Sequence, residues 1–155
     1  MFGMEKSPFG QAIKAAQDEA RQRGDRRMGT EHLLLGLLRD PAGAPARALG
    51  VDAAAARAAL DTLDRAALRA IGIDVGDADR ARPRKHPPLS GTALTSSARA
   101  AIVQAAKATT RKNRDQAGPA QLLLALLDQR HPDPVAELID TLAVDRAAAR
   151  ARLAP

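Results

Sequence analysis

Histidine, serine and carboxylate side chains are the residue types in this chain that could carry out acid–base, nucleophilic or metal chemistry. The three histidines, His32, His86 and His131, do not share the spacing of metal ligands, and the last two stand beside prolines. The sequence contains no cysteine, which excludes thiolate ligands, disulfides and a cysteine nucleophile. We therefore expect structural or solvent-facing histidines, no metal site and no cofactor.

The carboxylates and serines do not form a catalytic pattern either. Asp18 and Glu19 are neighbours in a predicted helix, where successive side chains point about 100° apart, so they cannot make a close carboxylate pair. We expect both to be surface charges. Ser90, Ser96 and Ser97 lack the sharp turn of a serine nucleophile, and no histidine and acid partners can be assigned to them. The sequence predicts a protein that is not an enzyme.

The segment GDRRMGT at 24–30 has the glycine spacing of a phosphate-binding loop. Thr30 stands where such a loop needs its lysine, and no strand is predicted before it. We interpret the segment as a turn and not as a nucleotide site.

The elements that must position these residues come from an internal repeat. GTEHLLLGLL at 29–38 is echoed by GPAQLLLALL at 118–127, a shift of 89 positions that also aligns Ile13 with Ile102. Further along, LGVD and LAVD, which end at Asp52 and Asp145, match after a four-residue insertion, which we place around residues 131–134. The chain is therefore predicted to consist of two halves built to one plan.

Apolar periodicity and helix punctuation predict four helices in each half. In the first half an apolar stripe ends at Gly24, and Thr30 is expected to cap a leucine-rich second helix that stops before Pro41. A short third helix is predicted at about 44–49, and Asp52 is expected to cap the fourth. The inner face of that fourth helix is predicted to carry Ala56, Leu60, Leu63, Ala67 and Ile71.

The second half is predicted to open at Thr95, a suitable N-cap, and to contain its own leucine-rich helix between Gln121 and Leu127. Both leucine-rich helices are too apolar to face water, so we expect them to be buried. The inner positions predicted for the opening helix are Ala98, Ile102, Ala105 and Thr109. The expected fold is all-α, with eight helices.

We divide the chain into a first repeat at 1–73, a linker at 74–91 and a second repeat at 92–155, together forming one compact domain. The linker is rich in proline and carries a basic cluster between Arg80 and Lys85. Because such a segment cannot bury apolar surface, we expect it to be exposed and mobile.

The net charge of +6 leaves two interpretations open. In the first, the charge only reflects the arginine- and alanine-rich composition that a genome rich in G and C produces. In the second, the charge indicates an acidic partner such as nucleic acid. No aromatic stacking residue accompanies the basic cluster, which argues against single-strand binding. The absence of a signal peptide, of a long apolar segment and of cysteine favours a reducing, cytoplasmic setting without a membrane, and we expect a monomer.

Three sequence signatures carry a resemblance to a known family. AQDEAR at 16–21, GTEHLLLGLL at 29–38 and LGVD at 49–52 resemble the double-repeat N-terminal domain of the Clp unfoldases, especially the ClpC type. The resemblance covers nearly the whole chain and is weaker in the second repeat. It implies a pseudo-twofold, eight-helix module that recruits adaptors and protein substrates to an ATP-driven unfoldase ring, without chemistry of its own.

The resemblance also implies a ligand. Similar ClpC-type domains recognise phosphorylated arginine, and the signature glutamate that helps to hold the guanidinium corresponds to Glu31. We expect Glu31 and its neighbour Thr30 to bind the ligand. The same position in the second half is Ala120, which cannot take this role. One site is therefore expected to be lost or repurposed.

A second expected contact is an apolar groove for peptides or cyclic-peptide antibiotics. It would involve Phe2, with Leu94 in place of the second aromatic residue of the family and Thr95 beside it. The chain resembles a divergent relative, either free-standing or excised from a full unfoldase. The open alternatives are a basic helical nucleic-acid-binding protein and a decoy that sequesters ligands of the unfoldase.

Overall fold

The computed structural model describes residues 6–74 and 93–154. In these two ranges the chain forms eight α-helices and no strand longer than an isolated bridge, which confirms the predicted all-α fold. The helices are α1 Pro8–Arg23, α2 Thr30–Leu38, α3 Ala44–Leu49, α4 Ala53–Ala70, α5 Ser96–Lys107, α6 Arg114–Leu127, α7 Pro134–Thr141 and α8 Arg146–Leu153.

The helix boundaries follow the capping chemistry, with two corrections. Helix α6 begins at Arg114, seven residues before Gln121, where the leucine-rich helix of the second half was predicted to begin. The Asp52 carboxylate accepts a hydrogen bond from the Ala55 amide at 2.7 Å, and Gly24 ends α1 with a left-handed φ of 77°. Thr30 was expected to be an N-cap, but it is the first residue of α2, after Gly29. The Gly29 amide lies 2.8 Å from Nδ1 of His32, three residues further along.

The leucine-rich helices lie in the core, as the repeat predicts. All five leucines of α2 are buried, as are four of the five in α6, and Leu124 is half-buried. Helix α2 packs directly on α1, and Gly36 makes that approach possible. A Cβ atom at Gly36 would lie 2.3 Å from the Ala12 carbonyl oxygen and 2.7 Å from the Ala16 nitrogen.

The two halves interlock by exchanging their third helices. Helix α3 packs on α8, and α7 packs on α4, so the third helix of each half lies on the fourth helix of the other. Residues 41–50 and 131–140 show the same order of buried and exposed positions, at a shift of 90. The second-half stretch therefore repeats the packing role of the first.

This register also corrects the placement of the four-residue insertion. One extra residue lies in the turn after α6, and the other three lengthen α7 and the turn that follows it. The insertion is divided because the buried positions of α7 match those of α3 one for one. The extra residues can therefore be added only before this matched stretch or after it.

The second half of α4 is more exposed than its apolar pattern predicts. Ala56 and Leu60 are buried and Leu63 is half-buried, but Ala67 is exposed and Ile71 is 73% exposed. The reason is length, since α4 has 18 residues and its counterpart α8 has 8. The packing against α2 and α7 buries only the first half of α4.

Candidate functional site

A groove joins the start of α2 to parts of both repeats, and we call it the acidic groove. It has a volume of about 410 Å³ and lies between the end of α1, the start of α2, the middle of α4 and the start of α7. Its lining residues are Arg23, Asp25, Arg27, Glu31, His32, Leu60, Leu63, Asp64, Ala67, Pro134 and Glu137.

Glu31 lies in the first turn of α2, at the edge of this groove. Its side chain is 13% exposed, and its Oε1 is 2.9 Å from Nδ1 of His32. Gly29 gives the carboxylate its place, because a Cβ atom at Gly29 would lie 2.2 Å from the same oxygen. The glutamate is therefore folded back against its own helix start, with one edge left open to the groove.

His32 lies beneath Glu31 and connects it to Asp25. The imidazole is 2% exposed, and its Nε2 is 2.8 Å from the Asp25 carboxylate. Burial by itself would lower the pKa of His32, but hydrogen bonds and charge from Asp25 and Glu31 outweigh it and raise the pKa to about 9. At neutral pH the imidazolium therefore donates to both carboxylates, and in its neutral form Nδ1 can accept from the Gly29 amide.

Arg23 forms the wall of the groove that faces α4. Its guanidinium is 9% exposed and contacts Asp61 at 2.9 Å and Asp64 at 2.5 Å, with Asp25 at 3.7 Å. These bonds join α1 to α4 across about 40 positions of sequence. The groove thus has a fixed cation in its wall and several carboxylates around it.

Thr30 faces away from the groove, toward the other repeat. It is fully buried, and its hydroxyl donates to Oδ1 of Asp133 at 2.5 Å. Asp133 is the N-cap of α7, where its carboxylate also accepts from the Val135 amide. Thr30 therefore connects the start of α2 in one repeat to the start of α7 in the other.

Leu94 and Thr95 lie at a short bridge next to α2. The Met28 amide donates to the Ala93 carbonyl, and the Thr95 amide donates to the Met28 carbonyl at 3.0 Å. Thr95 caps α5 as predicted, accepting from the Ala98 amide, and Leu94 is half-buried. Neither residue lines the acidic groove. Phe2 lies outside the described residues, as does nearly all of the predicted linker, 74–91.

Glu19 is not the surface charge that its sequence position suggested. The residue is 1% exposed, and its carboxylate accepts from the side chains of Arg39 at 2.9 Å and Arg57 at 2.5 Å. Burial would raise the pKa of Glu19, but the two guanidinium groups outweigh it and hold the pKa below its ordinary value. This ion cluster ties α1 to the end of α2 and to α4, away from the groove.

Sequence reasoning missed the partners of Glu31. His32 directly follows Glu31 in the sequence, where we expected only a structural or solvent-facing histidine. Arg23 and Glu137 carry no local signal, because tertiary packing brings them to the groove. Among the residues that the structure describes, no group of histidine and carboxylate side chains could hold a metal ion.

Part of the chain matches a known protein family. The family model described as the Clp repeat (R) N-terminal domain matches residues 6–83. No curated protein matches the chain. In the described part of the chain, every helix is too short or too polar to span a membrane.

Proposed function

The chain belongs to the Clp repeat N-terminal domain family, and from this premise we propose that it is a protein- and peptide-binding module that does no chemistry itself. Domains of this family are non-catalytic and bind substrates or adaptors of Clp systems. The partners that we propose here are substrates or adaptors of a Clp protease system, including arginine-phosphorylated proteins.

The observation that carries the proposal is the position of Glu31 in the acidic groove. A carboxylate pairs with a planar guanidinium through two parallel hydrogen bonds, and a helix start favours a nearby anion. Phosphoarginine contains both groups. Glu31 stands at the start of α2, with Arg27 on the same groove to meet the phosphate.

The lining of the groove supports a cationic ligand group. Four carboxylates line it, against two arginines and His32. Leu60 and Leu63 give it an apolar floor on which the methylene chain of an arginine can lie. The ligand guanidinium would share Glu31 with the His32 imidazolium, which keeps the carboxylate in place.

Calorimetry with free phosphoarginine and with an arginine-phosphorylated peptide tests this proposal. Glu31→Gln keeps the shape of the side chain and removes its charge. We expect it to lower the affinity for both ligands at least about tenfold, as for loss of a charged hydrogen bond. Asp115→Asn, on an exposed part of α6, is the matched control and should bind like wild type.

Equal affinity of the wild type and Glu31→Gln would contradict the role of Glu31. Equal affinity for the phosphorylated and unphosphorylated peptides would contradict the ligand. The roles of Phe2, Leu94 and Thr95 in binding cyclic peptides stay a prediction of the resemblance, as do the cytoplasmic location and the domain limits.

The nucleic-acid alternative makes a different prediction from the same charge. A protein that neutralises several phosphates loses affinity steeply as salt rises. A salt titration with duplex DNA that shows tight binding and a steep slope would replace the present proposal.

A further inference from the structure

A second groove lies at the contact between the repeats, and we call it the α3–α6 groove. It has a volume of about 510 Å³ and is bounded by α1, the end of α2, the start of α3 and the first turns of α6. Its floor is apolar and contains Ala12, Leu37 and Pro45, which are all buried. The size and lining are those of a site that takes one or two large apolar side chains.

This groove is related to the acidic groove by the internal repeat. Three of its lining residues, Gln116, Ala44 and Arg47, are the repeat equivalents of three that line the acidic groove. Those partners are Arg27, Pro134 and Glu137. The two grooves therefore lie at equivalent edges of the fold. Each edge is formed by the second helix of one repeat and the third helix of the other.

One charge along these equivalent edges is reversed, because Glu137 of the acidic groove corresponds to Arg47 of the α3–α6 groove. The acidic groove has Glu31 and Glu137, whereas the equivalent positions in the other repeat are Ala120 and Arg47. An arginine ligand that suits the first edge would meet a like charge at the second. The second edge instead offers a cation next to an apolar floor.

Arg47 is available to a ligand. It is exposed, and within the described ranges no carboxylate lies in ion-pair distance of it. The other arginine on this groove, Arg39, is held by Glu19 at 2.9 Å. The acidic residue on the rim, Asp40, accepts a hydrogen bond from the Ala42 amide and closes the turn before α3.

We propose that the α3–α6 groove binds a short peptide segment in which a large apolar side chain is next to a carboxylate. The apolar side chain fills the groove against Ala12 and Pro45, and the carboxylate pairs with Arg47. This inference goes beyond the function proposed for the acidic groove, since it concerns another surface and the opposite ligand charge. Either can fail without the other.

The test is a titration of the ¹⁵N-labelled full chain with two capped peptides, acetyl-Asp-Leu-Phe-Asp-amide and acetyl-Lys-Leu-Phe-Lys-amide, followed by amide chemical shifts. We expect the acidic peptide to shift amides on α1, α3 and the start of α6. We expect it to bind about fivefold more tightly than the basic peptide, as one partly exposed ion pair allows.

Two variants examine the two halves of the site. Arg47→Glu should weaken the acidic peptide about fivefold or more and favour the basic one. Ala42→Trp, at an exposed position on the rim, should fill the groove and abolish the binding of both peptides. Arg69→Glu on α4 makes the same charge change on another face and should leave the affinities unchanged.

The proposal is overturned if neither peptide binds or if both bind equally well. It is also overturned if the shifts map to the acidic groove, or if Arg47→Glu and Arg69→Glu have the same effect.

Discussion

Helices α2 and α6 are repeat equivalents, yet they begin at different positions of the repeat. Thr30 opens α2, and its equivalent is Pro119, but α6 already begins at Arg114. About one and a half turns of helix therefore precede Pro119, and the backbone amides near Ala120 lie inside a helix and not at its start. A glutamate at Ala120 would lack the helix start that Glu31 has.

The two repeats share a scaffold but differ in the residues at the start of the second helix. The exchange of third helices and the buried leucines are kept in both halves, because the core needs them. The helix start, its glutamate and its histidine are kept only in the first half. The packing residues therefore agree where both halves depend on them, and the surface residues differ where only one face is affected.

The ion pairs of the two repeats differ in the same way. In the first half Arg57 binds Glu19, whose side chain is 2% exposed. Its equivalent, Arg150, binds Asp128, whose side chain is 55% exposed, because the Glu19 position is Ala108. A buried acid on α1 has been replaced by an exposed acid in the turn after α6.

The largest expected effect concerns the closest helix contact. Gly36 and Ala125 are equivalents, and only the first lies where a Cβ atom would meet backbone atoms. We expect Gly36→Ala to lower the free energy of unfolding by about 3 kcal/mol through overpacking, measured by urea unfolding. Ala125→Gly should cost about 1 kcal/mol, and comparable losses in the two variants would contradict the asymmetry.

The next effect is a dependence on pH. His32 has a folded pKa of about 9, above its ordinary value of 6.5, so its stabilising contribution is full below pH 6.5 and is lost as the pH rises through 9. That contribution is about 3 kcal/mol when it is complete. His32→Gln introduces the residue of the second repeat, Gln121, and should remove this decline between pH 7 and 10 in urea unfolding. If the unfolding free energies of the wild type and His32→Gln changed with pH in the same way, the stabilising contribution of the His32 imidazolium would be excluded.

The smallest effect separates the two ion pairs. Glu19→Ala leaves two arginines without their shared acid, and we expect a loss of about 2 kcal/mol because both guanidinium groups can reach water. Asp128→Ala should cost at most about 0.5 kcal/mol. Since the pKa of Glu19 is lowered, its contribution is present above the ordinary carboxyl range and is lost as the pH falls below it. Equal unfolding free energies of the two variants at pH 7 would contradict the contrast.

The sequence predicted the fold because the fold depends on local signals that are repeated. Gly24, Asp52 and Thr95 mark helix ends by their own chemistry, and the leucine runs mark the core twice. The prediction was wrong where tertiary partners decide, as for the exposed end of α4 and the buried Glu19. The composition of Glu31's surroundings could not be predicted, since Arg23 and Glu137 reach the groove only through packing.

The exchange of third helices has a consequence for how the module can evolve. Glu137 and Pro134 belong to the second repeat but line the groove that contains Glu31. Each of the two grooves is lined by residues of both repeats. A substitution in one repeat therefore changes the lining of a groove that the other repeat also forms.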